Sequence, residues 1–313
     1  MTAISRSARK NDACARAAAL LLLLAAPLRG IAAEDDALLI ERGAYLVRAG
    51  GCVACHTDGE RGGGALAGGG PIKTSFGTFY APNITPDRAR GLGGWSEADF
   101  VAAMTRGRAP DGSPYYPIFH YTTYTRITPD DLHAIWTYLN SVAPDDTARR
   151  DHQLGMPFRY RWLNRLWQLL YFRAESFIAD PGKSARWNRG SYLVESLSHC
   201  RECHTPRTAF GGLDLSRAYA GVAAGPDGRT VPNITSDAKT GIGGWSESDI
   251  TWLLKTGFLP DGDVVEGTMA ELVEHGTKHL SDDDRAAIAT YIKSLPAIAN
   301  RIGKPKSGNG FDY

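Results

Sequence analysis

Cysteine and methionine are scarce in this chain, five and four among 313 residues, and neither sign of charge dominates. Lys plus Arg number 35 against 34 Asp plus Glu, so no overall field favours a nucleic-acid partner and any docking patch must be local. No apolar run approaches the roughly 20 residues that span a bilayer. The most apolar stretch, "AAALLLLLAAP" (17–27), follows Arg6, Arg9, Lys10 and Arg16 and precedes the small residues before Glu34. That order is the pattern of a secretory signal with cleavage after Ala33; a retained membrane anchor is the alternative. Cys14 would leave with the leader, and four cysteines would remain. The length suits two domains of roughly 100 to 150 residues.

Those four cysteines fall into two sets. "CVACH" holds Cys52, Cys55 and His56, and "CRECH" holds Cys200, Cys203 and His204. An exported chain uses cysteines for disulfides, but a disulfide does not require a histidine after each pair. Two thiols three residues apart can add to the two vinyl groups of a haem, and the next histidine can then bind its iron; Cys-x-x-Cys-His is the attachment pattern of haem c. Zinc leaves the histidine placement unexplained, and thioredoxin-type redox pairs come with alternating strands and helices that are not legible here. The expected cofactors are therefore two covalently bound haem c groups, one on each set.

The duplication runs further. "RGAYLVRAGGCVACHT" (42–57) recurs as "RGSYLVESLSHCRECHT" (189–205) with one extra residue before the first cysteine. "PNITPDRARGLGGWSEADFVAAMTRG" (82–107) matches 232–257 without a gap, at an offset of 150 residues. Such self-similarity indicates tandem repeats. Ser96 and Ser246, each three residues before Asp99 or Asp249, read as capping-box helix starts. Thr128 before Pro129 opens a helix with Leu132, Ile135, Trp136 and Leu139 on one face; its counterpart starts at Ser281 and carries Ile288, Tyr291, Ile292 and Leu295. The glycine-rich stretch 62–71 reads as loop. The fold class expected is all-α: a signal over 1–33, a first domain over 34–145, a linker over 146–185, a second domain over 186–300 and a flexible tail over 301–313.

With "RGAYLV", both haem motifs, both "PNIT" and "GGWS" segments, "FGTFYAPNIT" (76–85) and "YYPIFHYTTYT" (115–125), nearly all of 40–297 resembles the dihaem cytochromes c related to the cytochrome subunits of membrane-associated alcohol and aldehyde dehydrogenases. The resemblance implies two tandem class I cytochrome c-like domains and periplasmic electron transfer from a dehydrogenase to an acceptor cytochrome or oxidase. Members with that subunit role often carry three haems, and this chain has motifs for two.

A haem held by one histidine has a second axial position, and its occupant separates electron transfer from chemistry at the iron. Met269, 12 residues before Ser281, stands where a c-type cytochrome supplies its methionine, and the resemblance points to the same residue; the plain alternative is that it fills core space. The first half has no methionine there. Similar cytochromes often carry Met where Phe119 or Ile127 stands, and Pro where His120 stands. Met104 pairs with Leu254 in the repeat and reads as helix core, and Met156 lies in the linker. His120 is the expected ligand, against the alternative of a surface or propionate-contacting histidine, and His133 ranks below it.

Trp95 and Trp245 offer indole donors, and Asn83 and Asn233 offer amide donors, toward anionic haem propionates; core packing for the tryptophans and turn formation for the asparagines are the alternatives. The aromatic and arginine-rich segment 158–177 reads as packing between the domains it joins, with an amphipathic helix at a membrane surface as the other reading. The expected function is an electron carrier. A dihaem oxidoreductase reacting at an open or unusually ligated first haem is the alternative, against which no acid/base set or extra cysteine ligand is legible. No nucleic-acid partner is expected.

Overall fold

The computed structural model describes residues 35–225 and 228–303. The expected leader, with Cys14, and the tail beyond 303 lie outside the described residues.

The helices fall into two matching series. The first holds α1 (35–49), the one-turn α2 (Cys52–His56), α3 (Glu97–Arg106), the short α4 (Tyr121–Tyr124) and α5 (Pro129–Ser141). After α6 (Leu163–Tyr171), the second holds α7 (Ala185–Tyr192), α8 (Cys200–His204), α9 (Glu247–Thr256), α10 (Gly267–His275) and α11 (Asp282–Lys293). The helix starts lie where the sequence places them. Ser96 and Ser246 form full capping boxes with Asp99 and Asp249, and the Thr128 and Ser281 side chains accept from the third residues of α5 and α11. Such caps each stabilise a helix by about 1 kcal/mol.

Glycines let the first and last helices of each series cross closely. A Cβ on Gly43 would lie 2.0 Å from the Ala134 carbonyl oxygen, and one on Gly190 would lie 1.9 Å from that of Ala287. Only a residue without a side chain permits that approach. This is the physical content of the repeated Arg-Gly-x-Tyr.

The extra residue of the second half is absorbed as a π-helical turn. α7 runs on as π-helix over Leu193–Leu197, closed by the Ser198 N–H donating to the Leu193 carbonyl at 2.7 Å, whereas in the first half Gly50 donates to Leu46 four residues back. A single π-turn is how a helix takes up one inserted residue. The N-cap of α8 is then His199, left-handed at φ 41°, where α2 has Gly51 at φ 67°. A left-handed non-glycine residue costs roughly 1–2 kcal/mol.

The mostly helical content fits the all-α expectation; beside it lies one small antiparallel sheet of β1 (Pro71–Thr74), β2 (Gly77–Tyr80) and β3 (Gln153–Leu154), in that order. The glycine-rich loop masked it. Gly77, at φ 126°, closes the β1–β2 turn against the Gln153 carbonyl, a contact that a Cβ would forbid. β3 comes from the segment expected to be linker, so that segment is partly built into the first half.

One core runs through both series, joining Leu46, Val47, Tyr124 and Ile135 to Leu193, Val194, Leu197 and Ile288. Around it, the Ser198 hydroxyl donates to the Ala49 carbonyl at 3.2 Å and the Tyr124 hydroxyl to that of Gly50 at 2.8 Å. α6 touches both series through one side only: Gln168 donates to the Arg106 and Gly107 carbonyls, and Trp167 to that of Phe210. The reading of 158–177 as simply packed between halves is corrected by its other side, which is exposed and apolar.

Candidate functional site

Both Cys-x-x-Cys-His sets sit on single helical turns, α2 and α8, entered from a left-handed residue. Helical spacing brings the two cysteines of each set to one side, with the histidine one residue on. Burial, with the neighbouring thiol adding to it, pushes Cys52 and Cys200 up to about 12 and also raises Cys55. Redox-active pairs instead depress a thiol.

The histidines are oriented identically in the two halves. His56 Nδ1 lies 2.7 Å from the Pro82 carbonyl oxygen, and His204 Nδ1 lies 2.8 Å from that of Pro232. A carbonyl can only accept, so Nδ1 carries the proton. Burial holds both rings below the ordinary histidine value, against the opposing effect of that carbonyl. Each ring is therefore neutral, with its Nε2 lone pair open to a metal, the outer-shell arrangement that fixes a histidine ligand. The donor set fits a haem c in each half: two thiols for thioether bonds and one oriented imidazole. It fits zinc poorly, because among the described residues no group of three or more His, Cys, Asp or Glu side chains is arranged to hold a metal ion.

Asn83 and Asn233, expected to face propionates, have their amides engaged within the protein. Both are buried. Asn83 Nδ2 donates to the Asp145 and Thr147 carbonyls, while its Oδ1 accepts from the Thr85 N–H and hydroxyl. Asn233 Nδ2 donates to the Ile298 carbonyl and the Thr240 hydroxyl, and its Oδ1 accepts from the Thr235 N–H and hydroxyl. With both N–H bonds engaged, each amide latches the chain leaving the last helix onto the loop that presents the proline carbonyl. Pro82 and Pro232 are the functional residues that reading the side chains missed. A main-chain carbonyl leaves no mark in a sequence except the repeat of its surroundings.

Trp95 and Trp245 pack partly buried against the core. Met269, the third residue of α10, is partly buried against the same core. At the repeat's offset its counterpart is Phe119, set among the rings of Tyr115, Tyr121 and Tyr124. Met104 is buried in α3, Met156 is exposed, and His133 pairs with Glu97 at 2.8 Å on the surface.

His120 is the N-cap residue of α4 and stacks on His199, with ring centroids 4.3 Å apart and planes 29° from parallel. Its Nδ1 is buried without a hydrogen-bond partner among the described residues. Burial, and then His120, push His199 down to about 3. Beside this pair, the buried Glu202 of α8 accepts from the Thr122 and Thr123 hydroxyls of the first half at 2.7 and 3.1 Å and pairs with Arg207. Burial would raise Glu202, but Arg207, His120 and Thr122 bring it down to about 2. His199 and Glu202 thus tie the second motif to the first half. Neither was singled out from sequence, because the contacts span some 80 residues of chain.

Residues 40–143 match the cytochrome c family. The chain is 44% identical over 261 residues to a protein of Cereibacter sphaeroides named diheme cytochrome c-type, covering 82% of this chain and 86% of that one. It is 39% identical to the gluconate 2-dehydrogenase cytochrome c subunit of Pantoea cypripedii, over 85% of this chain and 62% of the relative. It is 38% identical to the fructose dehydrogenase cytochrome subunit of Gluconobacter japonicus, over 83% of this chain and 53% of the relative. The chain thus spans little more than half the length of these two dehydrogenase subunits. With paired thiols and an oriented histidine in each half, and with these relatives, the chain belongs to the dihaem c-type cytochromes, related to the cytochrome subunits of dehydrogenases.

Proposed function

We propose that the chain forms two tandem haem domains and carries electrons in the periplasm, from a partner dehydrogenase to an acceptor cytochrome or oxidase. One haem c is held by Cys52, Cys55 and His56 and the other by Cys200, Cys203 and His204. Bound haem supplies reversible one-electron chemistry at iron. The residues fix that chemistry. Pro82 and Pro232 hold the two imidazoles neutral and aimed, Met269 serves as sixth ligand in the second half and His120 in the first, and Trp95 and Trp245 donate to propionates. The observation that carries the reading is the matching pair of histidine-to-proline-carbonyl contacts, 2.7 and 2.8 Å, which prepare the same ligand twice. A thioether ligand raises an iron's potential relative to a second imidazole, so the second haem is the resting place of the electron.

The test is haem content by pyridine haemochrome, with near-infrared magnetic circular dichroism of wild type and His120→Ala. The expected result is two covalent haems per chain, one His/Met and one His/His, with only the latter lost in the variant. One haem per chain would overturn the dihaem reading. A high-spin first haem that binds cyanide, unaffected by His120→Ala, would favour the oxidoreductase alternative, since Phe119 occupies the position matching Met269.

A further inference from the structure

The repeat makes one surface visible by contrast between the halves. In each half the helix that follows "GGWS", α3 or α9, ends on a left-handed glycine, Gly107 or Gly257, and runs into the same tight loop. The Ala109 N–H donates to the Ser113 carbonyl at 2.9 Å and the Leu259 N–H to that of Asp263 at 2.7 Å, while Arg108 bridges to Pro114 as Phe258 does to Val264. In the first half α6 lies on this loop. Arg161 Nε donates to the Pro114 carbonyl and Arg165 to that of Gly112, both at 2.8 Å, and Pro114 is buried. The second half leaves the counterpart open, with Val264 46% exposed.

The open loop does not carry the residues of a solvated surface. Where the first half has Ala102 and Arg108, the second has Trp252 and Phe258, and these are 56% and 45% exposed. Thr256 ties them together, its hydroxyl donating to the Trp252 carbonyl at 2.8 Å and accepting from the Phe258 N–H at 3.2 Å. The bridge across the loop then sets Val264 opposite Phe258. Large apolar side chains therefore stand where the covering helix is missing. Clustered exposed apolar surface with a polar rim marks an interaction site.

Charge selects the occupant. Residues 247–274 hold seven Asp or Glu and one basic residue other than histidine, Lys255, which is itself paired with Asp282 at 3.2 Å. Asp261 and Asp263 stand exposed on the loop, and Glu266, paired with Arg229, follows it. Such a rim repels an anionic lipid surface, and among the described residues no group of three or more His, Cys, Asp or Glu side chains is arranged to hold a metal ion. It calls for a protein whose apolar contact is ringed by lysine or arginine. The chain shows the same chemistry on itself: the segment that covers the equivalent loop, 158–173, has four arginines and no Asp or Glu. Met269 follows Val264 by five residues, so the face adjoins the segment proposed to ligate the second haem. We infer that Trp252, Phe258 and Val264, rimmed by Asp261 and Asp263, form the docking face for a basic redox protein at the second half. That this partner is the electron acceptor rests on the function proposed above, whereas the face itself does not.

The test is titration calorimetry of the holoprotein with mitochondrial cytochrome c, a lysine-rich redox protein, and with the same cytochrome succinylated, which turns its lysines into carboxylates. Wild type is expected to bind the native cytochrome, more weakly as salt is raised, and to ignore the succinylated one. Trp252→Ala, and separately Asp261→Lys combined with Asp263→Lys, should each lower affinity at least ~10-fold, with the haem spectrum and far-ultraviolet dichroism unchanged. Glu60→Lys combined with Asp146→Lys, at exposed carboxylates of the first half, makes the same change of net charge elsewhere and should leave affinity within about twofold. Wild type that does not bind the native cytochrome overturns the inference. So does an equal loss in both lysine pairs, which would trace the attraction to the field of the whole chain. A wild type that sediments alone as a dimer, and as a monomer after Trp252→Ala, would give the face to a second copy and overturn it too. Calorimetry reads docking without electron transfer: binding that persists while reduced protein passes no electron to the cytochrome in stopped flow would count against the proposed function and uphold the face.

Discussion

Tyr45 and Tyr192 exchange places across the boundary between the halves. Tyr45 donates to Asp284 of α11 at 2.5 Å, and Tyr192 donates to Asp131 of α5 at the same distance. Each aspartate is also paired with the arginine of its own half, Arg189 with Asp284 at 2.7 Å and Arg42 with Asp131 at 2.6 Å. Each tyrosine oxygen in turn accepts the N-cap N–H of the opposite last helix, Ser281 for Tyr45 and Thr128 for Tyr192. The repeated Arg-Gly-x-Tyr therefore builds its own half with the arginine and glycine, and joins the other half with the tyrosine.

The first prediction concerns these tyrosines. Tyr45→Phe and Tyr192→Phe each remove one donor to a carboxylate and one acceptor of a backbone N–H, leaving the ring in place. Each is expected to destabilise by about 1–3 kcal/mol, the range for hydrogen bonds to charged groups. Urea unfolding followed by haem absorbance and by far-ultraviolet dichroism measures it. Loss below about 0.5 kcal/mol in both variants would show the reciprocal bonds to be energetically idle.

Asp284 gives a pH prediction. Burial acts to raise its carboxyl, but the hydrogen bonds from Arg189 and Tyr45 outweigh it, and the group lies below its ordinary value. A folded value below the unfolded one means that the carboxylate contributes its full stability above the unfolded pKa, near 3.9, and loses it as pH falls through the folded value. Asp284→Asn should therefore unfold more easily than wild type at neutral pH, with the two converging as pH drops below about 4. Midpoints of urea unfolding across that range decide; a difference that stays constant with pH contradicts the assignment.

Much of this architecture was legible in the sequence, and the illegible part has a common physical character. Ser96, Thr128, Ser246 and Ser281 announced their helices because a cap is a local interaction over three residues. The cysteine sets and histidines were legible because haem attachment demands fixed spacing. The third strand of the sheet, the Tyr45 and Tyr192 exchange, and the His120 and His199 stack were not, since each joins residues far apart in the chain. The "PNIT" segments were seen as a unit, but their proline carbonyl, which faces the histidine, was not legible, and the asparagine side chain holds the loop that presents it. The outward face of α6 was misread for another reason. Periodicity shows that a helix has an apolar face, and only the structure shows which way that face points.

The glycine crossings give a third prediction. Gly190→Ala would place its Cβ 1.9 Å from the Ala287 carbonyl oxygen, and that obstacle is backbone that cannot rotate away. α7 and α11 must move apart, and overpacking of a tight contact costs roughly 1–3 kcal/mol or more. Gly43→Ala should act alike through Ala134, whereas Gly244→Ala, which would meet nothing within 4 Å, serves as the control. Comparison of the three melting temperatures checks it: equal falls for all three would mean that the close approach does not limit stability.

The asparagine latches make the fourth prediction, and it separates a structural role from direct contact with haem. Asn233→Ala leaves the N–H of Thr235 and the carbonyl of Ile298 without that side chain, and loss of several buried hydrogen bonds is expected to cost about 2–4 kcal/mol. Because the same loop presents the Pro232 carbonyl to His204, loosening it should also weaken the Nδ1 contact and make the imidazole a poorer donor to iron. The expected result is a changed potential for the second haem alone, together with lower stability. Asn233→Asp keeps the Oδ1 acceptor for Thr235 but loses the N–H donors, so it should restore part of the loop and retain part of the potential. If Asn233→Ala shifts the potential with no loss of stability, the amide acts on the haem directly and the latch is not its role.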